Sequence, residues 1–444
     1  MLSLAQMLGD VSKAHVQSPD EWARSVTNAL RDAAIHHQAG NGFYRAQCDA
    51  LGVDPAAING IDDLQNLPLL PVRMFKRPDA NILLTCSMAD VEIETRSTGT
   101  SGVPSIARRD RETVTRALIG LTGTYREFFR LSRGAGLFLS PPTDGTSEIG
   151  MIKDFNILNG VFDHHADLVD DDSYDPKEAS EYLRKWKGRM TRHIVGPPFL
   201  VGRFLRFLER DGINARLDPY SMIITLGGWK RHAGESISPE DFRDRCHDLL
   251  GVRPDNVRDM YGMIESNMLA VECHLHRKHV PPWCYVSIRD VDDVSKELAP
   301  GSTGIIAILD ALNTSYPGFL LTDDVGDVET GTCECGRTGQ VITFRRRRQG
   351  AELGSCAVSI ERYLGSGKIA ANSAVPAVAK DSSPAGHPEA SGPVPSRETG
   401  PERRTPSLPA GPRPAIRKTH SVSPSGPPVT LKPRERVANR TVDR

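Results

Sequence analysis

A run of hydroxyl and glycine residues near position 100 has the composition of a phosphate-binding loop. Glycine lets the backbone approach an anion closely, and serine and threonine hydroxyls add hydrogen-bond donors. An alternating segment before the run predicts a strand, and a helical pattern from Val114 to Phe128 follows, with Asp110 as its N-cap. Strand, loop and helix would form a phosphate cradle; a solvated linker is the alternative, since no Walker lysine follows. The run comprises Ser97, Thr98, Gly99, Thr100, Ser101 and Gly102.

Cysteines and histidines form a second group with the character of metal ligands. Zinc favours four cysteine or histidine ligands, and a Cys-x-Cys pair can supply two thiolates from one turn. Free thiols beside a surface histidine cluster are the alternative. The residues concerned are Cys273, His274, His276 and His279, followed later in the chain by Cys333 and Cys335.

The elements that would position these groups alternate between apolar strands and amphipathic helices. Apolar runs predict strands at 137–139, 222–226 and 305–309, and helical spacing predicts helices at 177–186 and 199–208. A capping box at Ser18 starts an N-terminal helix, whose buried face would contain Trp22, Val26, Ala29 and Ala33. Residues 41–61 are rich in turn formers. This alternation predicts a layered α/β fold with largely parallel strand pairing.

Composition limits the classes of partner and compartment. The 444 residues can form one large or two medium domains, and the formal net charge of -1 argues against a nucleic-acid partner. No apolar run approaches the roughly 20 residues of a membrane span. The start of the chain lacks the features of a signal peptide, and eight scattered cysteines do not resemble a secreted disulfide framework. We therefore expect a cytoplasmic protein with reduced thiols.

The composition changes near residue 366. Residues 366–444 contain 14 of the 32 prolines and no aromatic residue. Ordering a residue costs about 1–2 kcal/mol of backbone entropy, and this segment has too little apolar surface to offset that cost. The sequence therefore predicts three parts: a domain at 1–340, a reduced C-terminal segment at 341–365 and a disordered, proline-rich basic tail at 366–444.

Three ordered motifs resemble the adenylate-forming enzymes, which make acyl-AMP from a carboxylic acid and ATP. They are the hydroxyl and glycine loop, the segment Asp259-Met260-Tyr261-Gly262-Met263-Ile264-Glu265 and the segment 321–327, Leu-Thr-Asp-Asp-Val-Gly-Asp. The chain is most similar to acyl-protein synthetases of the LuxE type, relatives of phenylacetate-CoA ligase. Further matching segments lie at 67–76, 196–199, 227–230, 279–283, 333–337 and 350–354, so the resemblance spans roughly residues 15 to 365.

The resemblance implies roles for individual residues. The loop, with Thr100 among the catalytic residues, would cradle the triphosphate of ATP, and Glu265 would bind Mg²⁺ through oxygen. Tyr261 would pack against adenine, and Asp327 would accept hydrogen bonds from the ribose hydroxyls. A core aromatic and solvated surface acids are the alternatives. Two glycines would let the nucleotide lie against bare backbone: Gly227 and Gly228.

The chain departs from the family pattern at two places. Many adenylate-forming loops end with lysine where this chain has Ser105, so phosphate charge would be met by Mg²⁺ together with Lys230, Arg108 or Arg109. These enzymes also usually close a C-terminal lid of about a hundred residues, whereas here the similarity stops near Leu364. A reduced lid fits the acyl-protein synthetase branch better than a CoA ligase.

The resemblance also implies a zinc site and a carrier cysteine. Relatives place a structural zinc site where Cys273, His279, Cys333 and Cys335 lie here, with His274 and His276 as rivals for the histidine position. LuxE-type enzymes bear the acyl group as a thioester on a cysteine near the C-terminus, and Cys356 matches that position. A buried apolar cysteine is the alternative.

Together these patterns predict an ATP-dependent ligase. It would activate a carboxylic acid, most simply a fatty acid, as acyl-AMP and transfer the acyl group to a protein cysteine, from which a reductase partner would accept it. An aryl- or acyl-CoA ligase is one alternative. A non-catalytic nucleotide-binding or assembly protein is the other, favoured by Ser105 and the short C-terminal segment.

Overall fold

The computed structural model describes residues 1–97, 103–129, 134–140, 158, 160–170, 173–228 and 236–348. These residues all fall within one compact unit, Met1–Ala374. The carrier candidate Cys356 and the tail at 366–444 lie outside the described residues, so the predicted division at 340 and 365 and the disorder of the tail stay predictions.

Eight α-helices are found in the described part of the chain. They are α1 (Leu4–Gly9), α2 (Val11–His15), α3 (Pro19–Gly40), α4 (Gly42–Leu51), α5 (Arg111–Phe129), α6 (Pro176–Trp186), α7 (Pro198–Arg210) and α8 (Pro239–Leu250). Short 3₁₀ turns lie at Pro55–Ala57, Ile61–Asn66, Val72–Lys76, Ala80–Leu83, Met88–Asp90 and Pro254–Asn256.

The start of α3 confirms the predicted capping box. The Ser18 hydroxyl accepts from the Glu21 amide at 3.3 Å, and the Glu21 carboxylate accepts from the Ser18 amide at 3.2 Å. The predicted buried face is confirmed as well, since all four of its residues are at least nine-tenths buried: Trp22, Val26, Ala29 and Ala33.

Residues 41–61, which are rich in turn formers, contain a helix that the sequence analysis did not predict. Helix α4 follows its N-cap Asn41, whose side-chain oxygen accepts from the Tyr44 amide at 2.8 Å. It ends at Gly52, which adopts the left-handed conformation with φ of 65°. Asparagine and glycine mark turns and helix ends alike, so the pattern of the cap was taken for that of a loop.

Sixteen strands lie in the described part of the chain. They are β1 (Leu70–Pro71), β2 (Val91–Arg96), β3 (Ile106–Asp110), β4 (Gly134–Phe138), β5 (His164–Asp167), β6 (Val169–Asp170), β7 (Ser173–Tyr174), β8 (Thr191–Gly196), β9 (Ile223–Leu226), β10 (Val257–Gly262), β11 (Leu269–Glu272), β12 (Lys278–His279), β13 (Cys284–Arg289), β14 (Gly304–Asp310), β15 (Phe319–Thr332) and β16 (Thr338–Arg347).

Twelve of these strands form one sheet with the order β13-β14-β15-β16-β12-β11-β10-β9-β8-β4-β5, and β1 pairs with β15. Strands β5, β4, β8, β9 and β10 pair in parallel, whereas the pairings from β10 through β11, β12 and β16 to β13 are antiparallel. The α/β class is confirmed, but the expectation of largely parallel pairing holds for only one half. In the other half, short turns at Cys273–Arg277 and 333–337, which the sequence analysis did not weigh, join consecutive antiparallel strands.

Helices cover both halves of the sheet. Helices α6, α7 and α8 bury apolar residues such as Leu183, Phe204 and Phe242 with the parallel strands. Helix α3 buries Trp22 and Leu30 with residues of β13 to β16. No helix among the described residues combines the length and apolar character that crossing a bilayer requires.

The predicted phosphate loop is the tip of a hairpin. Strand β3 (Ile106–Asp110) pairs antiparallel with β2 and separates the loop from α5, so the expected order of strand, loop and helix lacked one strand. The predicted cap of α5 is confirmed, because the Asp110 carboxylate accepts from the Thr113 amide at 2.8 Å. Three polar residues in a row, Arg108 to Asp110, masked the alternation of a strand with one buried face.

Candidate active site and metal centre

The base of the hairpin loop is closed by two hydrogen bonds. The Ser97 amide donates to the Ser105 carbonyl at 3.0 Å, and the Ser105 amide donates to the Ser97 hydroxyl at 2.9 Å. Five of the predicted loop residues lie outside the described residues, so their role stays a prediction: Thr98, Gly99, Thr100, Ser101 and Gly102.

Glu265 lies against the base of this loop. Its carboxylate accepts a hydrogen bond from the Ser105 hydroxyl, and the side chain is largely buried. Burial raises the pKa of Glu265, although the bonds from Ser105 and the cations Arg347 and Arg109 oppose that rise. A buried carboxylate beside the predicted phosphate loop is the type of oxygen ligand that Mg²⁺ requires.

Of the cations proposed to meet phosphate charge, the structure describes two. Arg109 is buried and donates to the backbone around Glu265, as detailed below, and Arg108 forms an ion pair with Glu94 at 2.9 Å. Lys230 lies outside the described residues. Arg347 was not predicted, yet it lies close enough to Glu265 to lower the pKa of that carboxyl, and 3.6 Å separates its Nε from the Asp324 carboxylate.

The carboxyl ends of the parallel strands meet at the same edge of the sheet. Leu226 pairs with Met260 in parallel register, so Gly227 and Tyr261 emerge side by side. Gly227 and Gly228 adopt positive φ values of 91° and 62°, and a Cβ atom added to Gly228 would meet nothing within 4 Å. Open backbone beside an aromatic ring, at the carboxyl ends of parallel strands, is the kind of place where open α/β sheets bind ligands.

Tyr261 contacts an acid that the sequence analysis did not select. Its hydroxyl donates to Asp324 at 2.8 Å, and its ring stacks on Phe344 with centroids 5.8 Å apart. Burial raises the pKa of Asp324, which is opposed by the Tyr261 hydrogen bond and by Arg347.

The predicted ribose acceptor, Asp327, lies three positions after Asp324 in β15, and its role stays a prediction. Asp327 accepts a hydrogen bond from Arg345, an exposed residue of β16, and not from Tyr261. The contact between Tyr261 and Asp324 joins residues 63 positions apart, on strands that do not pair with each other, so the sequence does not display it.

The four predicted zinc ligands come together. The Sγ atoms of Cys273, Cys333 and Cys335 and a ring nitrogen of His279 all lie within 4.8 Å of one another. Within this group, Cys335 Sγ lies 3.3 Å from His279 Nε2. Zinc bonds of about 2.0–2.3 Å to nitrogen and sulfur place tetrahedral ligands at comparable separations, so the residues fit this ion.

The two rival histidines do not join this group. His274 is exposed, and Nδ1 of His276 lies 3.6 Å from the Glu272 carboxylate. Burial lowers the pKa of His279 to about 3, with Arg337 and Arg277 adding to the effect, so its ring is neutral and able to bind a metal. Burial would raise the pKa of Cys335, but hydrogen bonds from Arg337 and the neighbouring thiols lower it.

Two turns of the same form hold the cysteines. In Cys273–Arg277, the Cys273 amide donates to the Arg277 carbonyl at 2.9 Å, and the His276 amide donates to the Cys273 carbonyl at 2.9 Å. In 333–337, the amides of Cys333 and Gly336 make the equivalent bonds at 2.8 Å. His276 and Gly336 occupy equivalent positions, with φ of 57° and 89°.

Comparison with known proteins decides the family. A sequence profile of the family described as acyl-protein synthetase, LuxE, matches residues 12–365, which is most of the chain. The chain belongs to the LuxE family of acyl-protein synthetases. It is therefore an ATP-dependent ligase of the adenylate-forming kind, and it activates a carboxylic acid as acyl-AMP and transfers the acyl group to a protein.

Individual relatives agree with this membership. The chain is 28% identical over 356 residues to the long-chain-fatty-acid–luciferin-component ligase of Vibrio harveyi, with 78% of this chain and 91% of the relative covered. The corresponding ligase of Aliivibrio fischeri is 26% identical over 355 residues, with 78% and 92% covered.

The fold is similar to that of solved adenylate-forming enzymes. An open conformation of 2-hydroxyisobutyryl-CoA ligase, solved with 2-HIB-AMP and CoA, superposes with a TM-score of 0.59 at 13% identity, covering 76% of this chain and 77% of that enzyme. This likeness confirms the expected adenylate-forming architecture of the LuxE-family chain.

Proposed function

We propose that the chain activates a long-chain fatty acid as acyl-AMP, bears the acyl group on Cys356 and passes it to an acyl-accepting reductase. The observation that supports the adenylation site is the contact between the Ser105 hydroxyl and Glu265, because it joins the base of the phosphate loop to the Mg²⁺ ligand. The names of the two curated relatives support the acid class and the protein acceptor.

In the first half-reaction, a carboxylate oxygen of the acid attacks the α-phosphorus of ATP, and pyrophosphate leaves. The protein must therefore align the acid with the phosphate and compensate charge on the leaving group. We assign Glu265 as a ligand of Mg²⁺, which would neutralise phosphate charge. We assign Arg347 to neutralise part of the same phosphate charge directly. The loop from Ser97 to Gly102, including Thr100, and Lys230 keep their proposed phosphate-binding roles.

The nucleoside would lie along the edge formed by Gly227, Gly228 and Tyr261. We propose Asp324 as the acceptor from the ribose hydroxyls, in place of Asp327, because Asp324 is hydrogen-bonded to the aromatic residue of this edge. Asp327 remains the alternative, and its ion pair with Arg345 would have to open before it could bind a ribose.

In the second half-reaction, a thiolate attacks the carbonyl carbon of the acyl-AMP, and AMP leaves. AMP is a good leaving group, and a thiolate is an effective nucleophile at neutral pH. Cys356 is our candidate for this thiolate, and the resulting thioester would be transferred to the partner protein.

We further propose one structural zinc ion on Cys273, His279, Cys333 and Cys335. All four ligand positions would be filled by protein, as in zinc sites that stabilise a fold and unlike catalytic sites, which keep one position open. The site would fix the β15–β16 turn to the β11–β12 turn.

The two half-reactions can be separated by one substitution. Cys356→Ala should leave fatty-acid-dependent ATP–pyrophosphate exchange intact and abolish hydroxylamine-sensitive labelling by a radioactive fatty acid. Cys86→Ala is the control, since Cys86 is a partly exposed cysteine that has no proposed role. It should keep both activities.

Other outcomes would assign the chain differently. Labelling that persists in Cys356→Ala would show that another cysteine is the carrier. A parent protein that is never labelled but forms acyl-CoA would be a CoA ligase, and a parent without exchange on any acid of a chain-length panel would be a nucleotide-binding or assembly protein.

A further inference from the structure

Arg109 lies in β3, the second strand of the phosphate-loop hairpin, and is only 8% exposed. Each of its three guanidinium nitrogens donates a hydrogen bond. Nε donates to the Asn267 side-chain oxygen at 2.7 Å, Nη1 to the Thr95 hydroxyl at 3.0 Å, and Nη2 to the carbonyls of Ile264 at 2.5 Å and Ser266 at 3.2 Å. One side chain thus joins the hairpin to the segment on either side of Glu265.

The carbonyl of Glu265 itself is bound from a third direction. The Tyr316 hydroxyl donates to it at 3.0 Å, so three successive carbonyls, of residues 264, 265 and 266, accept hydrogen bonds from side chains. Asp310 fixes the continuation of the segment, because its carboxylate accepts from the Asn267 amide at 2.7 Å and from the Ser266 hydroxyl at 3.3 Å. The backbone bearing Glu265 is therefore fixed mainly by residues distant in sequence.

We propose that Arg109 is a positioning residue that fixes the Glu265 turn against the phosphate-loop hairpin and so sets the affinity of the site for Mg²⁺. The proposal rests on the assignment of Glu265 to Mg²⁺ made above. It also removes Arg109 from the candidates for direct phosphate binding, because its nitrogens already donate to protein oxygens.

Arginine suits this position because its planar guanidinium presents donors in several fixed directions. The ammonium of lysine is a single point of charge on a flexible stem, so it cannot reach the Asn267, Thr95 and carbonyl acceptors at once. Arg109→Lys therefore keeps the charge and removes the geometry. Outer-sphere partners of metal ligands typically change metal affinity by about 10–100-fold when they are replaced.

The chain offers a matched control in Arg192. This buried arginine of β8 likewise donates to two backbone carbonyls, those of Leu183 and Arg216, each at 2.9 Å, and to the Asp218 carboxylate. It lies in the core formed with α6 and α7. Arg192→Lys should therefore lower thermal stability as much as Arg109→Lys does, without touching the Glu265 turn.

The first measurement is the Mg²⁺ concentration that gives half-maximal ATP–pyrophosphate exchange in the full chain. We expect Arg109→Lys to raise it about 10–100-fold, with a smaller fall in the rate at saturating Mg²⁺, and Arg192→Lys to leave it unchanged. Glu265→Gln should raise it too, and the double variant should show less than the product of the two single effects, because Arg109 acts through Glu265.

The second measurement does not depend on catalysis. Hydrogen exchange of the Asn267 and Met268 amides, which donate to Asp310 and Ser266, should accelerate in Arg109→Lys and not in Arg192→Lys. Unchanged exchange of these amides, or equal Mg²⁺ shifts in the two arginine variants, would overturn the positioning role. If Glu265→Gln left the Mg²⁺ requirement unchanged while the amides accelerated in Arg109→Lys, the assignment of Glu265 would be wrong, and Arg109 would fix the turn without setting Mg²⁺ affinity.

Discussion

Two local turns supply the cysteines of the cysteine–histidine cluster, whereas the proposed nucleotide-binding edge depends throughout on contacts between residues far apart in the chain. Each cysteine turn closes within five residues through its own backbone hydrogen bonds. The proposed edge contains Ser105, Glu265 and Asp324, which come from three segments. Arg109 connects the hairpin that bears Ser105 to the turn that bears Glu265, and Asp310 of β14 fixes that turn. We therefore expect the proposed zinc cluster to contribute mainly to stability and the proposed edge mainly to catalysis, so substitutions in each should change different measured properties.

The largest change in activity is expected from a substitution at the proposed nucleotide-binding edge. Glu265→Gln should lower the rate of ATP–pyrophosphate exchange by about 10²–10³-fold, because the variant lacks the carboxylate that would hold the charge-compensating Mg²⁺ in the transition state. The melting temperature should stay near that of the parent, since removing charge from a buried carboxylate relieves its desolvation. A Glu329→Gln variant, which breaks an exposed ion pair with Arg277, is the control. Parent-like exchange in Glu265→Gln would show that the site is misplaced.

The cluster should respond in the opposite way. Elemental analysis should find one zinc per chain, and the double variant Cys333→Ser, Cys335→Ser should lose it and melt at a lower temperature, because metal affinity contributes directly to folding free energy. Exchange activity at a temperature where the variant is folded should be affected less than in Glu265→Gln. Metal-free parent protein, or an unchanged melting temperature in the variant, would refute the zinc assignment.

The two aspartates of β15 sharpen the comparison within the edge. Asp324→Asn should raise the KM for ATP by about 10–100-fold, the effect of losing one hydrogen bond to a charged group, while Asp327→Asn should leave it near the parental value. Steady-state exchange at varied ATP measures both. The reverse pattern would return the ribose role to Asp327.

The smallest effect is expected from the tail. A chain that ends after Gly365 should keep the exchange rate and the melting temperature of the parent, because residues 366–444 have too little apolar surface to form a core. Loss of acyl-AMP formation in a folded, truncated chain would contradict this expectation.

The family resemblance predicted the four members of the cluster, whereas the spacing of cysteines and histidines alone left His274 and His276 as rivals of His279. Each cysteine turn is local, but the contact between Cys335 and His279 joins residues 56 positions apart. At the proposed edge, the contact between Tyr261 and Asp324 joins residues 63 positions apart and left no local pattern. Arg109 contacts Asn267, 158 positions away, and Arg347 acts on the carboxyl of Glu265, 82 positions away, so neither role left a local pattern.

The same distinction between local and long-range interactions explains which elements of the fold could be predicted. Helix starts at Ser18 and Asp110 were predictable because capping is a short-range interaction. The strand Ile106–Asp110 was not, since exposed and buried arginines stand where alternating apolar residues would have marked a strand. The strand at 305–309 was predicted from its apolar run, but its antiparallel pairing is a long-range property.

The hydrogen bond at the end of β16 limits how far Cys356 can lie from the sheet. Arg348 donates its amide to the Asp323 carbonyl at 2.7 Å, which anchors the chain beside the nucleotide-facing edge, and Cys356 follows Arg348 by eight residues. Eight residues span at most about 26–29 Å when fully extended. The sulfur of Cys356 could therefore lie no farther from Arg348 than roughly the diameter of a small domain. The accepting protein would have to dock on the ligase itself to receive the acyl group.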